Sequence, residues 1–203
     1  MASLSLPASA NASRTLNVKY DRQDRALSCE VAALKMALAY KGVSVSEDTL
    51  MTYVGYDATP RGKSTWGNPN QGFVGNINGR QNTTGYGAHW YPVRRAARKY
   101  RPADVYSWMT VTDLTREINR GNTIIVWGTQ NTKARYAPWR TPSGILIKAW
   151  IGEHTRVVVG YRGSAKNPTE FILMDPSRGR ITWTTQQLKD NWARFINSGV
   201  VVR

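Results

Sequence analysis

Cys29 is the residue with the most informative chemistry, because it is the only cysteine of the 203-residue chain and stands at the beginning of a predicted helix. Unpaired backbone N–H groups and the helix dipole favour a negative charge there, so we expect the pKa of the thiol to be lowered. The thiolate is the nucleophilic form of cysteine. The competing interpretation is structural, since a single cysteine is commonly a small buried apolar side chain. The other polar residues must decide between the two.

Gln23 lies six positions before Cys29 in the sequence. A side-chain amide at that distance, together with the backbone N–H of Cys29, would form an oxyanion hole for acyl transfer. A solvated glutamine is the alternative. Gln23 is therefore a candidate oxyanion donor.

His154 and Asp175 are the candidate base and its orienting partner. His154 opens an alternating strand at 154–161, and Asp175 ends the next apolar strand. If the two strands are neighbours, Asp175 accepts a hydrogen bond from one imidazole nitrogen, which fixes the tautomer and stabilises the imidazolium. A structural histidine and a turn-forming aspartate before Pro176 are the alternatives. Cysteine, histidine and aspartate in this order, each at the edge of an element, indicate a thiol-dependent catalytic triad.

His89 is the second histidine and the rival base. It lies between glycines and aromatic residues, which suits substrate contact or packing better than proton transfer. Together with three tryptophans it is a candidate wall of a substrate cleft, although most aromatic residues belong to cores; these tryptophans are Trp66, Trp90 and Trp127. With one cysteine and two histidines we expect no metal site, and we expect no cofactor.

The elements that position these residues change character near residue 100. Helices are predicted for residues 29–40, capped by Ser28, for 46–53, from Pro92 onward, and for 112–121, capped by Thr112. A glycine-rich loop is predicted for 55–90. Strands are predicted at 123–127, 145–151, 154–161, 170–175, 180–184 and 199–203, with a helix at 185–196. Helices followed by antiparallel strands predict an α+β fold.

Composition and charge narrow the function classes. With 41% hydrophobic and 20% charged residues the chain is globular, and no apolar run reaches the ~18 residues of a membrane span. The net charge of +15 suggests an anionic partner. A non-catalytic basic module that binds an anionic polymer is therefore an alternative function, although no signature of specific nucleic-acid recognition is present. Its candidate residues cluster in 94–101: Arg94, Arg95, Arg98, Lys99 and Arg101.

The N-terminus bears on localisation. We predict a flexible segment at 1–17, a possible remnant of a secretion signal region, and a single domain at 18–203, which we expect to be a monomer. The triplets Ala8-Ser9-Ala10 and Ala10-Asn11-Ala12 are typical of signal-peptide cleavage sites. We therefore expect a secreted protein, with a cytoplasmic protein as the alternative.

Several short motifs follow one another from about residue 18 to the C-terminus. They are Gln23 with Ser28-Cys29-Glu30-Val31-Ala32-Ala33-Leu34, then Trp66-Gly67-Asn68-Pro69, Phe73-Val74-Gly75, Gly85-Tyr86-Gly87, Ile125-Val126-Trp127-Gly128, Glu153-His154 and Asp175-Pro176. In this order they resemble the peptidase_C39-like family, which are papain-like cysteine peptidases related to double-glycine bacteriocin-leader peptidases. The resemblance implies a papain-like α+β fold with the nucleophile helix packed on an antiparallel sheet. It implies that Cys29 is the nucleophile and that Gln23 completes the oxyanion hole. His154 and Asp175 are then base and orienting residue.

The predicted reaction is thiol-dependent acyl transfer on a peptide or another amide, through a thioester. Water as the acceptor gives a cysteine peptidase, which is the function we expect. A primary amine as the acceptor, with a glutamine side chain as the donor, would give a transglutaminase with the same triad. The expected partners are a peptide or protein substrate and an anionic cell-surface polymer, on which the positive charge would concentrate the enzyme.

Overall fold

The computed structural model describes residues 13–130 and 134–203. The cleavage-like triplets within residues 8–12 lie outside the described residues. The strand β1 (Arg14–Thr15) already pairs with the main sheet, and Leu16 is buried. The predicted start of the domain at residue 18 is therefore too late, because the chain joins the sheet from Arg14.

Within the described residues the chain forms five α-helices and eleven short or long strands. The helices are α1 (Cys29–Tyr40), α2 (Glu47–Val54), α3 (Trp90–Ala97), α4 (Val111–Asn119) and α5 (Thr185–Trp192), and a 3-10 helix (Ala193–Phe195) follows α5. The strands after β1 are β2 (Tyr56–Asp57), β3 (Phe73–Val74), β4 (Ala103–Tyr106), β5 (Thr123–Thr129), β6 (Trp139–Arg140), β7 (Leu146–Ile147), β8 (Glu153–Gly163), β9 (Pro168–Asp175), β10 (Gly179–Thr184) and β11 (Gly199–Val202).

One antiparallel sheet dominates the described part of the molecule. Its strand order is β10-β9-β8-β5-β11-β4, and β1 pairs with the far end of β8. The pairs β2–β3 and β6–β7 form two small separate sheets. The α+β fold class predicted from the sequence is confirmed. No helix of the described residues is long and apolar enough to cross a membrane.

The helix that begins at Cys29 is the central helix of the fold. α1 packs against β5 and β8, and its side chains from Cys29 to Leu34 are all buried. Every residue of β5 is buried as well, as its run of β-branched residues predicts. Because both the helix and the sheet bury their side chains at this contact, the start of α1 is held beside Glu153, the first residue of β8.

The predicted elements match closely, with several corrections. The hydroxyl of Ser28 does not cap α1 but accepts a hydrogen bond from the backbone N–H of Arg25. Thr110, not Thr112, caps α4, because Asp113 closes a reciprocal capping box with it. The strand predicted at 145–151 shrinks to β7, because the later part of this range is joined to its neighbour through an isolated bridge between Tyr136 and Trp150. The short edge strand β4 was missed, because its four residues carry no clear alternation: Ala103 is buried, the next two residues are half-buried and Tyr106 is exposed.

Candidate active site

Cys29 stands at the first position of α1 and is only 5% exposed. Its thiol donates a hydrogen bond to Oε2 of Glu30, with 3.5 Å between the sulfur and the oxygen. Burial raises the pKa of the Cys29 thiol well above its ordinary value, and the carboxyls of Glu30 and Glu153 raise it further. The prediction of a lowered thiol pKa is therefore wrong, because burial and two acids outweigh the helix dipole.

His154 and Asp175 meet because their strands are neighbours. β8 pairs with β9, and Nε2 of His154 donates to Oδ1 of Asp175 at 2.9 Å. Both side chains are buried. Because Nε2 is used in this bond, Nδ1 is the nitrogen that remains for a reacting group.

Asp175 is the most heavily hydrogen-bonded carboxylate of the site. Its Oδ2 accepts from Nε of Arg156 at 2.8 Å, and its Oδ1 also accepts from the backbone N–H and the hydroxyl of Ser177. Burial alone would raise the pKa of Asp175, but His154, Arg156 and Ser177 outweigh it and hold the pKa well below the usual range. The carboxylate therefore stays ionised beside His154.

Arg156 is a residue of the site that the sequence analysis missed. Its guanidinium is buried, lies 4.4 Å from the ring centre of Trp183, and donates to the carbonyl of Thr129 as well as to Asp175. A signal existed in the sequence, since Arg156 follows His154 by two positions. In a strand that spacing puts both side chains on one face.

The pKa of His154 is lowered in this environment. Burial is the main cause and the positive charge of Arg156 adds to it, whereas the bond to Asp175 acts in the opposite direction. His154 is therefore neutral near pH 7 and able to accept a proton.

Gln23, Cys29 and His154 line one narrow cavity of about 20 Å³. That volume is room for about one water molecule. Tyr86, Gln81 and Glu153 complete much of its wall. Three of the residues predicted for the chemistry are thus brought to one place, and Asp175 reaches it through His154.

The Gln23 side chain does not present its amide hydrogens to this cavity. Its Nε2 donates to the carbonyls of Arg25 and Ala26, at 2.7 and 3.1 Å. Its backbone N–H donates to the carbonyl of Pro176, which ties this loop to the turn after Asp175. An oxyanion contact from Gln23 requires a rotation of its side chain.

His89 is not brought to Cys29. Its ring stacks on Trp90 with 4.9 Å between ring centres, and it lines a second cavity with Trp90 and Phe195. Burial lowers the pKa of His89 to about 3. The structure therefore gives it a packing role rather than that of the base.

The expected aromatic cleft wall is wrong for Trp66 and Trp127. Trp127 is fully buried in the main core, and its indole N–H donates to the carbonyl of Ala88. Trp66 packs with Trp139 in a smaller buried cluster. Trp90 is 8% exposed and packs edge-on against Trp127. The rings of Trp66 and Trp127 therefore pack in the interior, whereas Trp90 borders the second cavity beside His89.

Two buried acids beside Cys29 were also missed. Oε1 of Glu30 accepts from the backbone N–H of Ala88, and burial raises the pKa of Glu30 to about 7. Burial and the nearby Glu30 raise the pKa of Glu153 well above its usual value. The signal in the sequence was Glu30 directly before the apolar run Val31-Ala32-Ala33-Leu34, because acidic side chains are almost never fully buried unless they are paired.

The basic cluster of 94–101 is largely occupied by the chain itself. Arg95 donates to the carbonyls of Tyr53, Val54 and Gln71. Arg98 binds Asp104, and Arg101 donates to the carbonyl of Lys41. These three guanidinium groups tie helices and loops together, which weakens the alternative of a phosphate-binding face.

A model of the Peptidase_C39 like family matches residues 15–200. A curated relative, the uncharacterized protein YvpB of Bacillus subtilis (strain 168), is 32% identical over 143 residues, which are 66% of this chain and 53% of that protein. The chain thus aligns with about half the length of this relative.

Solved structures share the fold. A putative C39-like peptidase from Bacillus anthracis has a TM-score of 0.79 at 23% identity, covering 94% of this chain and 97% of its own. A double glycine motif protease from an AMS/PCAT transporter, in complex with the leader peptide, has a TM-score of 0.52 at 16% identity over 93% and 94% of the two chains. The peptidase domain of Streptococcus ComA has a TM-score of 0.51 at 14% identity over 92% and 98%.

Proposed function

Because the chain belongs to the Peptidase_C39 like family, we propose that it is a cysteine peptidase with Cys29 as its nucleophile and His154 as its general base and acid. One observation carries this proposal: Cys29 and His154 line the same cavity, while Nε2 of His154 is held by the ionised Asp175. This is the arrangement of nucleophile, base and orienting group that acyl transfer needs.

The proposed reaction begins with a neutral pair. The Cys29 thiol passes its proton to Nδ1 of His154 as the sulfur attacks the carbonyl carbon of the scissile amide. Asp175 stabilises the imidazolium that forms. His154 then gives the proton to the leaving amine, and a thioester to Cys29 remains. Water, deprotonated by His154, hydrolyses the thioester and restores the thiol.

The tetrahedral intermediate carries a negative oxygen that needs donors. The backbone N–H of Cys29 is one candidate, because α1 begins there and its first N–H groups have no partner within the helix. Gln23 is the second, once its amide rotates from the carbonyls of Arg25 and Ala26 into the cavity. The substrate carbonyl oxygen, once bound, accepts the hydrogen bond from the rotated amide.

A peptide is the substrate class we propose. The double glycine motif protease of similar fold is in complex with a leader peptide, which supports a peptide in the corresponding cleft here. The net charge of +15 favours an acidic peptide or a peptide presented on an anionic surface. Secretion of this chain, which would bring it to such a surface, stays a prediction.

A peptide library that includes glutamine tests the reaction. We expect new peptide N-termini by mass spectrometry near pH 7, and we expect prior alkylation of Cys29 with iodoacetamide to abolish them. A parallel incubation with a primary amine separates hydrolysis from transfer. Amine incorporation in place of cleavage would replace the peptidase by a transglutaminase, and cleavage that survives complete alkylation would refute both.

A further inference from the structure

The nucleophile and two neighbouring carboxyl groups form a cluster of three potential metal ligands. One ligand atom each of Cys29, Glu30 and Glu153 lies within 4.8 Å of the other two, and all three residues are buried. The proposed peptidase reaction assigns no role to either glutamate. Glu153 borders the same cavity as Cys29, whose volume of about 20 Å³ is enough for one water molecule beside these three ligand atoms.

The unpartnered carboxylate of Glu153 is a second, independent observation that points to a ligand at this cluster. It is 2% exposed, and neither of its carboxylate oxygens has a hydrogen-bond partner among residues 13–130 and 134–203. Buried carboxylates are normally paired, hydrogen-bonded or bound to a metal, because burying an unpaired negative charge costs roughly several kcal/mol.

Gly87 keeps the space between the two acids open. A Cβ at this position would lie 2.3 Å from Oε1 of Glu30 and 2.9 Å from Oε2 of Glu153. Its φ of +148° is also a backbone conformation that favours glycine. The backbone of this loop is therefore built to let the two carboxyl groups approach one another.

We propose that Cys29, Glu30 and Glu153 form a Zn²⁺ site that blocks the nucleophile. A thiolate selects Zn²⁺ over Mg²⁺ or Ca²⁺, and carboxylates complete many zinc sites. Tetrahedral zinc with Zn–S of about 2.3 Å and Zn–O of about 2.1 Å needs ligand atoms about 3.4–3.6 Å apart. The three atoms must close by no more than about 1.4 Å to reach this geometry. Water takes the fourth position.

Binding of Zn²⁺ to these ligands releases protons. The Cys29 thiol loses its proton to solvent as the Zn–S bond forms, and any proton held by the two carboxyl groups leaves as well. No electron is transferred. With its lone pair engaged by the metal, the sulfur attacks neither an amide nor an alkylating reagent. Inhibition of cleavage rests on the proposed function, whereas metal binding and protection of the thiol do not.

The test uses the 203-residue chain without a histidine tag and needs no substrate. Zn²⁺ affinity is measured by competition with a chromogenic chelator, and the rate of Cys29 alkylation by iodoacetamide is followed at pH 8 with and without Zn²⁺. We expect one equivalent to bind and alkylation to slow at least about tenfold, with recovery after EDTA. Mg²⁺ should protect nothing.

Matched variants assign the ligands. Glu153→Gln and Glu30→Gln keep the shape of the site and should each weaken Zn²⁺ binding at least about tenfold. Glu170→Gln, at the surface of β9 and paired with Arg162, is the control. Thermal unfolding confirms that each variant is folded.

Three results would overturn the site. These are unchanged alkylation at saturating Zn²⁺, binding by both glutamine variants with the affinity of the parent, and the absence of stoichiometric binding. If peptide cleavage fails in every condition while Zn²⁺ still protects Cys29, the peptidase proposal falls and the metal site stands.

Discussion

The two sides of the Cys29 cavity differ in how their carboxyl groups are paired. On one side, Asp175 is matched by His154 and by the buried Arg156, and each of its oxygens is hydrogen-bonded. On the other side, Glu30 and Glu153 face one another, and neither carboxylate oxygen of Glu153 has a hydrogen-bond partner among the described residues. The first side holds a fixed negative charge beside the base. The second side favours a proton or a cation next to the thiol.

Burial and this difference together favour a neutral resting thiol. Burial raises the pKa of Cys29 most, and the acids on the second side raise it further, although the residue begins a helix. The hydrogen bonds of the matched side lower the pKa of Asp175, and burial keeps the imidazole of His154 neutral and ready to accept the proton. The cavity is therefore prepared for proton transfer during attack rather than for a preformed ion pair.

Removing the base should give the largest effect. We expect His154→Ala to lower kcat for peptide cleavage by about 10²–10⁴, because general acid and base catalysis is lost. His89→Ala is the matched control and should keep most of the activity. Steady-state kinetics check both, and the reverse ranking would move the base to His89.

Breaking the matched side should also cost stability. Asp175→Ala leaves the Arg156 guanidinium buried without its carboxylate, and removal of one member of a buried pair costs about 3–5 kcal/mol. Glu170→Ala on the same strand breaks an exposed pair with Arg162 and should cost less than about 1 kcal/mol. Urea unfolding measures both, and equal losses would show that the buried network adds no stability.

The same pair has a pH signature. Because the folded-state pKa of Asp175 lies below its ordinary value, its contribution to stability is present above that ordinary value and is lost as the pH falls through the folded-state pKa. The stability gap between the parent and Asp175→Ala should therefore narrow on acidification below about pH 4.

The oxyanion assignment of Gln23 should show in one reaction and not in another. Gln23→Ala should lower kcat for cleavage by about 10², the usual cost of one donor. The rate of Cys29 alkylation by iodoacetamide should stay near that of the parent, because this displacement forms no oxyanion. An equal loss in both reactions would instead mean that Gln23 only positions the loop around Cys29.

The smallest effect should come from the unmatched side. The pKa of Glu30 is raised from 4.5 to about 7 and that of Glu153 is raised well above 4.5, so the folded state prefers these acids protonated. Their favourable contribution is full below about pH 4 and is lost as the pH rises through the folded-state values. In metal-free buffer, Glu153→Gln should therefore unfold at a higher temperature than the parent at pH 8, by about 2–4 °C for each kcal/mol, and at a similar temperature at pH 4.

That last comparison has a clear contrary outcome. A metal-free Glu153→Gln variant that is less stable than the parent at pH 8 would show that the carboxylate is paired in the folded protein. The two sides of the cavity would then not differ in the way described above.

Much of the fold was readable from local signals. The helix 29–40 was predicted with the bounds that it has, because an apolar run begins after Ser28 and ends before Gly42. The partnership of His154 with Asp175 also followed from the sequence. His154 lies near the start of one strand and Asp175 at the end of the next, and antiparallel pairing brings these two ends together. The spacing of apolar residues and the positions of turn residues are local features, so they predict such elements without information about distant contacts.

What the sequence analysis missed depends on contacts between distant segments. The carboxyl groups of Glu30 and Glu153 meet only because α1 packs on β8 and Gly87 leaves room between them. Burial of Cys29, reinforced by these two carboxyl groups, also reverses the expected shift of its pKa. Trp66 and Trp127 could not be separated from cleft residues, because composition does not say which side of a loop is covered.

The most direct test of the account is a search for the acyl-enzyme. The parent chain and Cys29→Ala are each incubated with the peptide library, quenched in acid within the first turnovers, and measured by intact-protein mass spectrometry. We predict a peptide acyl adduct that maps to Cys29 in the parent, with neither adduct nor cleavage in Cys29→Ala. Cleavage by Cys29→Ala at the rate of the parent would contradict the central claim that this thiol carries the reaction.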